Sequence, residues 1–314
     1  MENTTRQSNN KAFITGILKE KNLTFKTNAE GKEVATGYLM LITNTPSGKG
    51  EVKVSVSQNK LTKEGKENSL YKGLVTIQNE YVGTKDTGSE ETADLVKITG
   101  ELKDGTYYSV KRGEFVDKVD LKGTFIERLD KSKEVEHGVK VILEGCIVDV
   151  KAVEDELEVK MISIGYGGVA VPVVARVEKD LVIPFQQTYQ VGNTTQLNFA
   201  IVNVVEVEEF QKNVAFGQAI GEKIERTTSK TVIFGGDAVN YQDPYSEEQI
   251  RQALSLREVK LEEKKKKAEE KEANGGVQMN QGFGMPNGTP MANNGFGNGM
   301  PMGGFGMPTG SFGS

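Results

Sequence analysis

The chain has 314 residues with one Cys, one His and no Trp, and a formal net charge of −5, enough length for two ordinary domains of roughly 100–200 residues and some additional segments. A single cysteine cannot close an internal disulfide, and His137 with Cys146 is a weak ligand set for zinc. The polar start, Met1–Lys11, is unlike a secretory signal, and no run of about 18 apolar residues occurs, so a cytoplasmic protein without a membrane span is expected.

The run Ala12–Leu18 is apolar and β-branched and has Gly16 inside it, as a strand with a bulge or sharp bend does. Val34–Thr43 follows the turn Asn28–Gly31. Val52–Ser57 alternates strictly, with valines on one face and Lys53, Ser55 and Ser57 on the other. Lys60–Lys72 is polar and lysine-rich, a short helix or a loop. Leu95–Leu102 meets Thr106–Lys111 through Lys103-Asp-Gly105, and an Asp-Gly between two β-rich runs predicts a hairpin. From Glu134 the plan repeats. Val139–Val150 carries Gly145 where the first module carries Gly16. Leu157–Ile164 and Val169–Val177 flank a glycine turn, then come Tyr189–Gly192 and the long run Gln196–Val207. Phe216–Ile220 and Thr231–Phe234 read as an additional hairpin. Gly165–Gly168 precedes a strand-like run, so it is a turn; a phosphate loop would open a helix there. Cys146 lies in an apolar run and reads as a small core residue.

Ser246 and Gln249 form a capping box after Pro244, so a helix should begin near Ser246, with Ile250, Leu254 and Leu261 on a narrow stripe. It carries eight acidic and eight basic residues between 246 and 273. Residues 274–314 contain no charged residue and repeat Gly-Phe-Gly, a composition that cannot bury enough apolar surface to order its backbone. The expected organisation is therefore mainly β. Two OB-like Greek-key barrels stand in tandem (11–133 and 134–245), followed by a charged helix (246–273) and a disordered Gly/Asn/Met/Pro/Phe-rich tail (274–314).

The glycine-bearing first strand, the Lys103-Asp-Gly105 turn and the tail together resemble the single-stranded-DNA-binding proteins of bacterial and phage type. The resemblance is one of layout over most of the chain. It implies OB-fold domains that coat single-stranded DNA during replication or recombination in the cytoplasm, of a bacterium or of a phage-infected one. Two departures stand out. Two barrels in one chain are unlike the short bacterial form. The chain ends Gly310–Ser314 with no acidic tip, so the tip's recruitment of replication proteins is not carried over.

Charge divides the modules. Residues 1–133 hold 22 Lys+Arg against 19 Asp+Glu, and residues 134–245 hold 9 against 17. Phosphate binding needs cations, so the first module is the candidate. Alternation turns Lys53, Lys97, Tyr107 and Lys111 outward, next to Arg112, while Phe25, Lys26 and Lys32 lie on the first hairpin, where an OB loop would grip a strand. An outward aromatic among cations can stack a base and neutralise phosphate; the bland alternative is half-buried sheet aromatics with lysines protecting strand edges. No cofactor, metal site or catalytic constellation is indicated, so the chain is read as a binding protein, not an enzyme. Its expected partner is single-stranded DNA. Replication proteins or other copies of the chain would meet the tail, and no membrane is involved. A structural or scaffolding protein, a virion or assembly component that binds protein partners, is the alternative.

Overall fold

Gly16 lies in β1 (Asn10–Thr27), and the path of that strand organises the first half of the molecule. A computed structural model gives the fold and describes residues 5–28, 31–45, 48–212, 220–240 and 243–273. After β1 come β2 (Glu33–Thr45), β3 (Gly48–Asn59), α1 (Ser69–Glu80), α2 (Thr84–Thr87), β4 (Leu95–Asp104), β5 (Tyr107–Ser109), β6 (Glu114–Val116) and β7 (Val119–Leu129). Hydrogen-bonded neighbours run β1-β2-β3-β7-β4 and return to β1, with β3–β7 parallel and the rest antiparallel. A closed five-stranded circuit with a helix after its third strand is the OB-fold barrel.

The second half repeats it. β8 (Gly138–Val153), β9 (Glu156–Ile164), β10 (Ala170–Val177), α3 (Lys179–Thr188), β11 (Thr194–Lys212) and β12 (Ile220–Gly236) pair in the order β8-β9-β10-β12-β11 and return to β8, with β10–β12 parallel. β1 and β8 pair antiparallel, from Asn10–Leu143 to Thr15–Gly138, and join the two barrels into one ten-stranded sheet. α4 (Glu247–Ala273) follows.

The first strand of each barrel must serve two partners. β1 pairs with β4 through Ile17 and with β2 from Ile17 onward; β8 pairs with β11 through Cys146 and with β9 from Cys146 onward. The preceding residue is a glycine in both, Gly16 and Gly145, and a bulge follows at the same interval, between Leu18 and Glu20 and between Ile147 and Asp149. A Cβ on Gly16 would lie 2.4 Å from the Ile42 carbonyl oxygen, and one on Gly145 2.6 Å from that of Ile162. Close backbone approach therefore dictates glycine at both bends.

Period-two patterning fills the cores. Val52, Val54 and Val56 are buried while Lys53 is exposed; Val96 and Ile98 are buried while Lys97 is exposed. The capping box is realised: the Ser246 amide donates to Gln249 Oε1 (2.9 Å) and the Gln249 amide to Ser246 Oγ (3.2 Å). Cys146 is buried, and burial pushes its thiol up from the ordinary range.

Several expectations need correction. Asp104-Gly105 makes no hairpin, because β4 pairs with β7 and β5 pairs with β6. A tight two-residue hairpin turn needs positive φ, which Gly105 does not have; its amide instead bonds the Lys118 carbonyl (2.8 Å), closing the root of an insertion. Thr231–Phe234 is part of β12, the closing strand of the second barrel, and not an extra hairpin. Phe216–Ala219 lies outside the described residues. Tyr189–Gly192 is the exit from α3. Within Lys60–Lys72 the chain is irregular until Asn68, whose side chain caps α1 by accepting the Leu70 amide (3.0 Å). The tail, 274–314, lies outside the described residues.

Candidate nucleic-acid interface

In an OB barrel the outer face of the second and third strands, with the loops after the first and fourth, holds oligonucleotides. The two barrels present that face differently. In the second barrel α4 lies on it. Ile250 and Ala253 of α4, with Tyr245 just before it, are buried with Cys146, Ile162, Ile164 and Ala170, and Leu254 packs at the edge. Ser8 hydrogen-bonds Tyr245 (2.8 Å) and Arg6 stacks 4.4 Å over its ring, which locks the cover in place. At the uncovered end Arg176 is paired with Glu158 (2.9 Å), and Lys160 is exposed.

Among the described residues, no such helix lies on the equivalent face of the first barrel. Its rows are set by register: Asn22–Tyr38–Ser55, Thr24–Thr36–Ser57, and across the parallel bridge Ser55–Lys122. Tyr38 is half-buried, donates to Glu20 Oε1 (2.6 Å), and has the Lys53 ammonium 4.0 Å from its ring centroid. Lys122 adjoins this row; burial, reinforced by the charge of Lys103, pulls its ammonium below the ordinary lysine range. A cation made less comfortable by desolvation and a like charge gains from an anion placed beside it.

The flanking segments complete the arrangement. In the β1–β2 connection the Lys32 amide donates to Asn28 Oδ1 (2.9 Å). Lys26 is exposed next to it, and Phe25, 37% exposed, meets Tyr71 of α1 edge-on at 5.8 Å. Between the fourth and fifth barrel strands stands the β5–β6 hairpin. Its tip closes with the Gly113 amide on the Ser109 carbonyl (2.8 Å) at a positive φ of 70°, a position suited to glycine, and it exposes Lys111 and Arg112. Tyr107 points outward, 50% exposed, while Tyr108 turns back to pack against Phe115 (5.2 Å). Arg112 reaches Glu114 only at 3.9 Å.

Seven of the eight residues singled out in the sequence lie on three parts of the first barrel: Phe25 and Lys26 at the end of β1 with Lys32 in the connection after it, Lys53 on the outer face of β3, and Tyr107, Lys111 and Arg112 on the inserted hairpin. Lys97 does not join them. It lies on β4 between β1 and β7, opposite Glu127.

A family model described as YorF matches residues 8–267. The chain belongs to the YorF family. The match spans both barrels and most of α4, so the covering helix belongs to the same unit as the barrels. No curated protein matches the chain. Among solved structures it is similar to wild-type single-stranded DNA binding protein from Thermus aquaticus, at 13% identity over 77% of this chain and 97% of that one, with a TM-score of 0.42. A deletion variant of that protein gives 12% identity, 77% and 98% coverage, and a TM-score of 0.43. The OB assignment here rests on the strand circuit.

Sequence reasoning passed over three residues. Tyr38 could have been found, since it alternates with Leu39 and Leu41, which are fully buried. Phe125, 62% exposed on β7 opposite Thr99, was equally visible by alternation. Arg257 could not: its partners Asp104 and Asp117 are more than a hundred positions away in the chain.

Proposed function

We propose that this protein binds single-stranded DNA without sequence preference, through the first barrel, in replication or recombination, and that it is not an enzyme. The observation that carries the reading is the open β2–β3 face of that barrel, with Tyr38 and Lys53 on it, the β1–β2 segment carrying Lys26 and Lys32, and the cationic β5–β6 hairpin, while α4 covers part of the same face of the second barrel. Aromatic faces stack any base, at about 1–3 kcal/mol each, and lysines meet phosphates whatever the sequence, so the chemistry is sequence-tolerant. Replacing Tyr107, Lys111 and Arg112 together by alanine should weaken binding to an oligo-dT and lower its salt slope by about 1.4, for two lost phosphate contacts on a single strand. Lys160→Ala with Arg176→Ala should do less. Equal losses from the triple and the double variant would remove the assignment to the first barrel.

A protein-binding, scaffolding reading has one observation of its own. Between α3 and β12 an apolar crevice of about 180 Å³ is lined by Val177, Phe185, Tyr189, Ile233 and Phe234, with Leu181 at its rim. Large apolar side chains left exposed together suit a protein partner. On that reading the protein would be a structural or scaffolding component of a virion or assembly, and the second barrel would dock its protein partner. Leu181→Ser with Phe234→Ser should abolish capture of such a partner and leave oligo-dT affinity unchanged.

A further inference from the structure

Charge along α4 is balanced in number but not in placement. Lys260, Lys264 and Lys267 stand at i, i+4 and i+7 on one flank, whereas Glu258, Glu262 and Glu269 stand on the other. The stripe between the flanks is docked onto the first barrel. Arg257 bonds Asp104 (2.6 Å) at the entry to the β5–β6 hairpin and Asp117 (2.8 Å) at its exit, and Leu261 is buried. Lys264 donates to the Thr106 carbonyl (2.8 Å), which sets the lysine flank against the root of the hairpin. Lys260 and Lys267 are exposed and form no ion pair with a described residue, although Glu263 stands one turn before Lys267.

We propose that this lysine flank is a second wall of the single-stranded DNA path, taking phosphodiester groups of the strand held by the β5–β6 hairpin. The inference rests on the single-stranded DNA reading of the first barrel. Two features select this occupant. The flank is continuous with the hairpin that carries Lys111 and Arg112, and three lysines there outnumber the one acid beside them, Glu263. Arg257 is here a positioning residue: it fixes helix to hairpin, so that two cationic ridges from distant parts of the chain lie side by side.

The test uses the full chain and fluorescence anisotropy of a 30-nucleotide oligo-dT over a salt series. Lys260→Ser with Lys267→Ser should lower the slope of log K against log salt by about 1.4, two phosphates at about 0.7 each. Lys266→Ser, turned roughly 100–120° around the helix from Lys267 and Lys260, should leave the slope unchanged. An unchanged slope in the double variant, with the wild-type chain still binding, overturns the inference and spares the reading of the barrel. Failure of the wild-type chain to bind removes both.

Discussion

Gly16 and Gly145 are the residues on which each barrel turns. A β-carbon at either would sit within 2.6 Å of a backbone carbonyl oxygen, and backbone cannot swing aside as a side chain can. Alanine at Gly16 or at Gly145 should therefore destabilise the protein by roughly 1–3 kcal/mol, the usual cost of overpacking, read as a lower urea midpoint. A midpoint unchanged in both variants would mean that the strands bend without needing the glycines. These positions were legible in the sequence because an isolated glycine in a β-branched run has few other reasons to be there. Tyr38 was legible on the same terms, by alternation with buried leucines, yet nothing in its local sequence says that Lys53 will lie over its ring. That contact arises from the β2–β3 register.

The β5–β6 hairpin shows where element-level reading stops. The sequence announces a turn at Asp104-Gly105 but not its partners, because β4 must pair with β7 to close the barrel. The insertion is then held by α4 rather than by the sheet. Burial pushes the Asp104 carboxyl up, but hydrogen bonds from Arg257 and Thr106 outweigh it and hold it below the usual carboxylate range. A depressed folded value means that this stabilisation is fully present above the unfolded carboxylate range, about pH 4, and is lost as the pH falls through the folded value. Asp104→Asn should thus melt lower than wild type at about pH 6, and the gap should narrow below about pH 4. A gap independent of pH would deny Asp104 its role as an ionised anchor. α4 itself was half legible. Its start could be read from Ser246 and Gln249, and its stripe from Ile250 and Leu261. Its destination could not, since the surfaces it covers are formed by strands far away in the chain.

At the scale of the whole molecule, two barrels of the same topology differ in charge and in what packs on their outer faces. The net charge of −5 conceals the difference: the acidic excess belongs to the second barrel, and one end of its β9–β10 face lies under α4. The tandem layout was legible from two runs of strands with matched glycines; the covered face was not, because it depends on how a later helix docks. The uncharged residues 275–314 cannot neutralise phosphate. Removing them should leave affinity for a short oligonucleotide unchanged and reduce cooperative coating of long strands, where neighbouring copies are held close. Loss of short-oligonucleotide binding would show instead that the phenylalanines there stack on DNA directly. The central claim is tested most directly by titrating the full chain into fluorescent poly-dT at about 50 and 200 mM salt. The account predicts saturable binding that weakens steeply at the higher salt, and weaker binding to duplex DNA of the same length. No binding at the lower salt, or equal affinity for duplex and single strand, would contradict it.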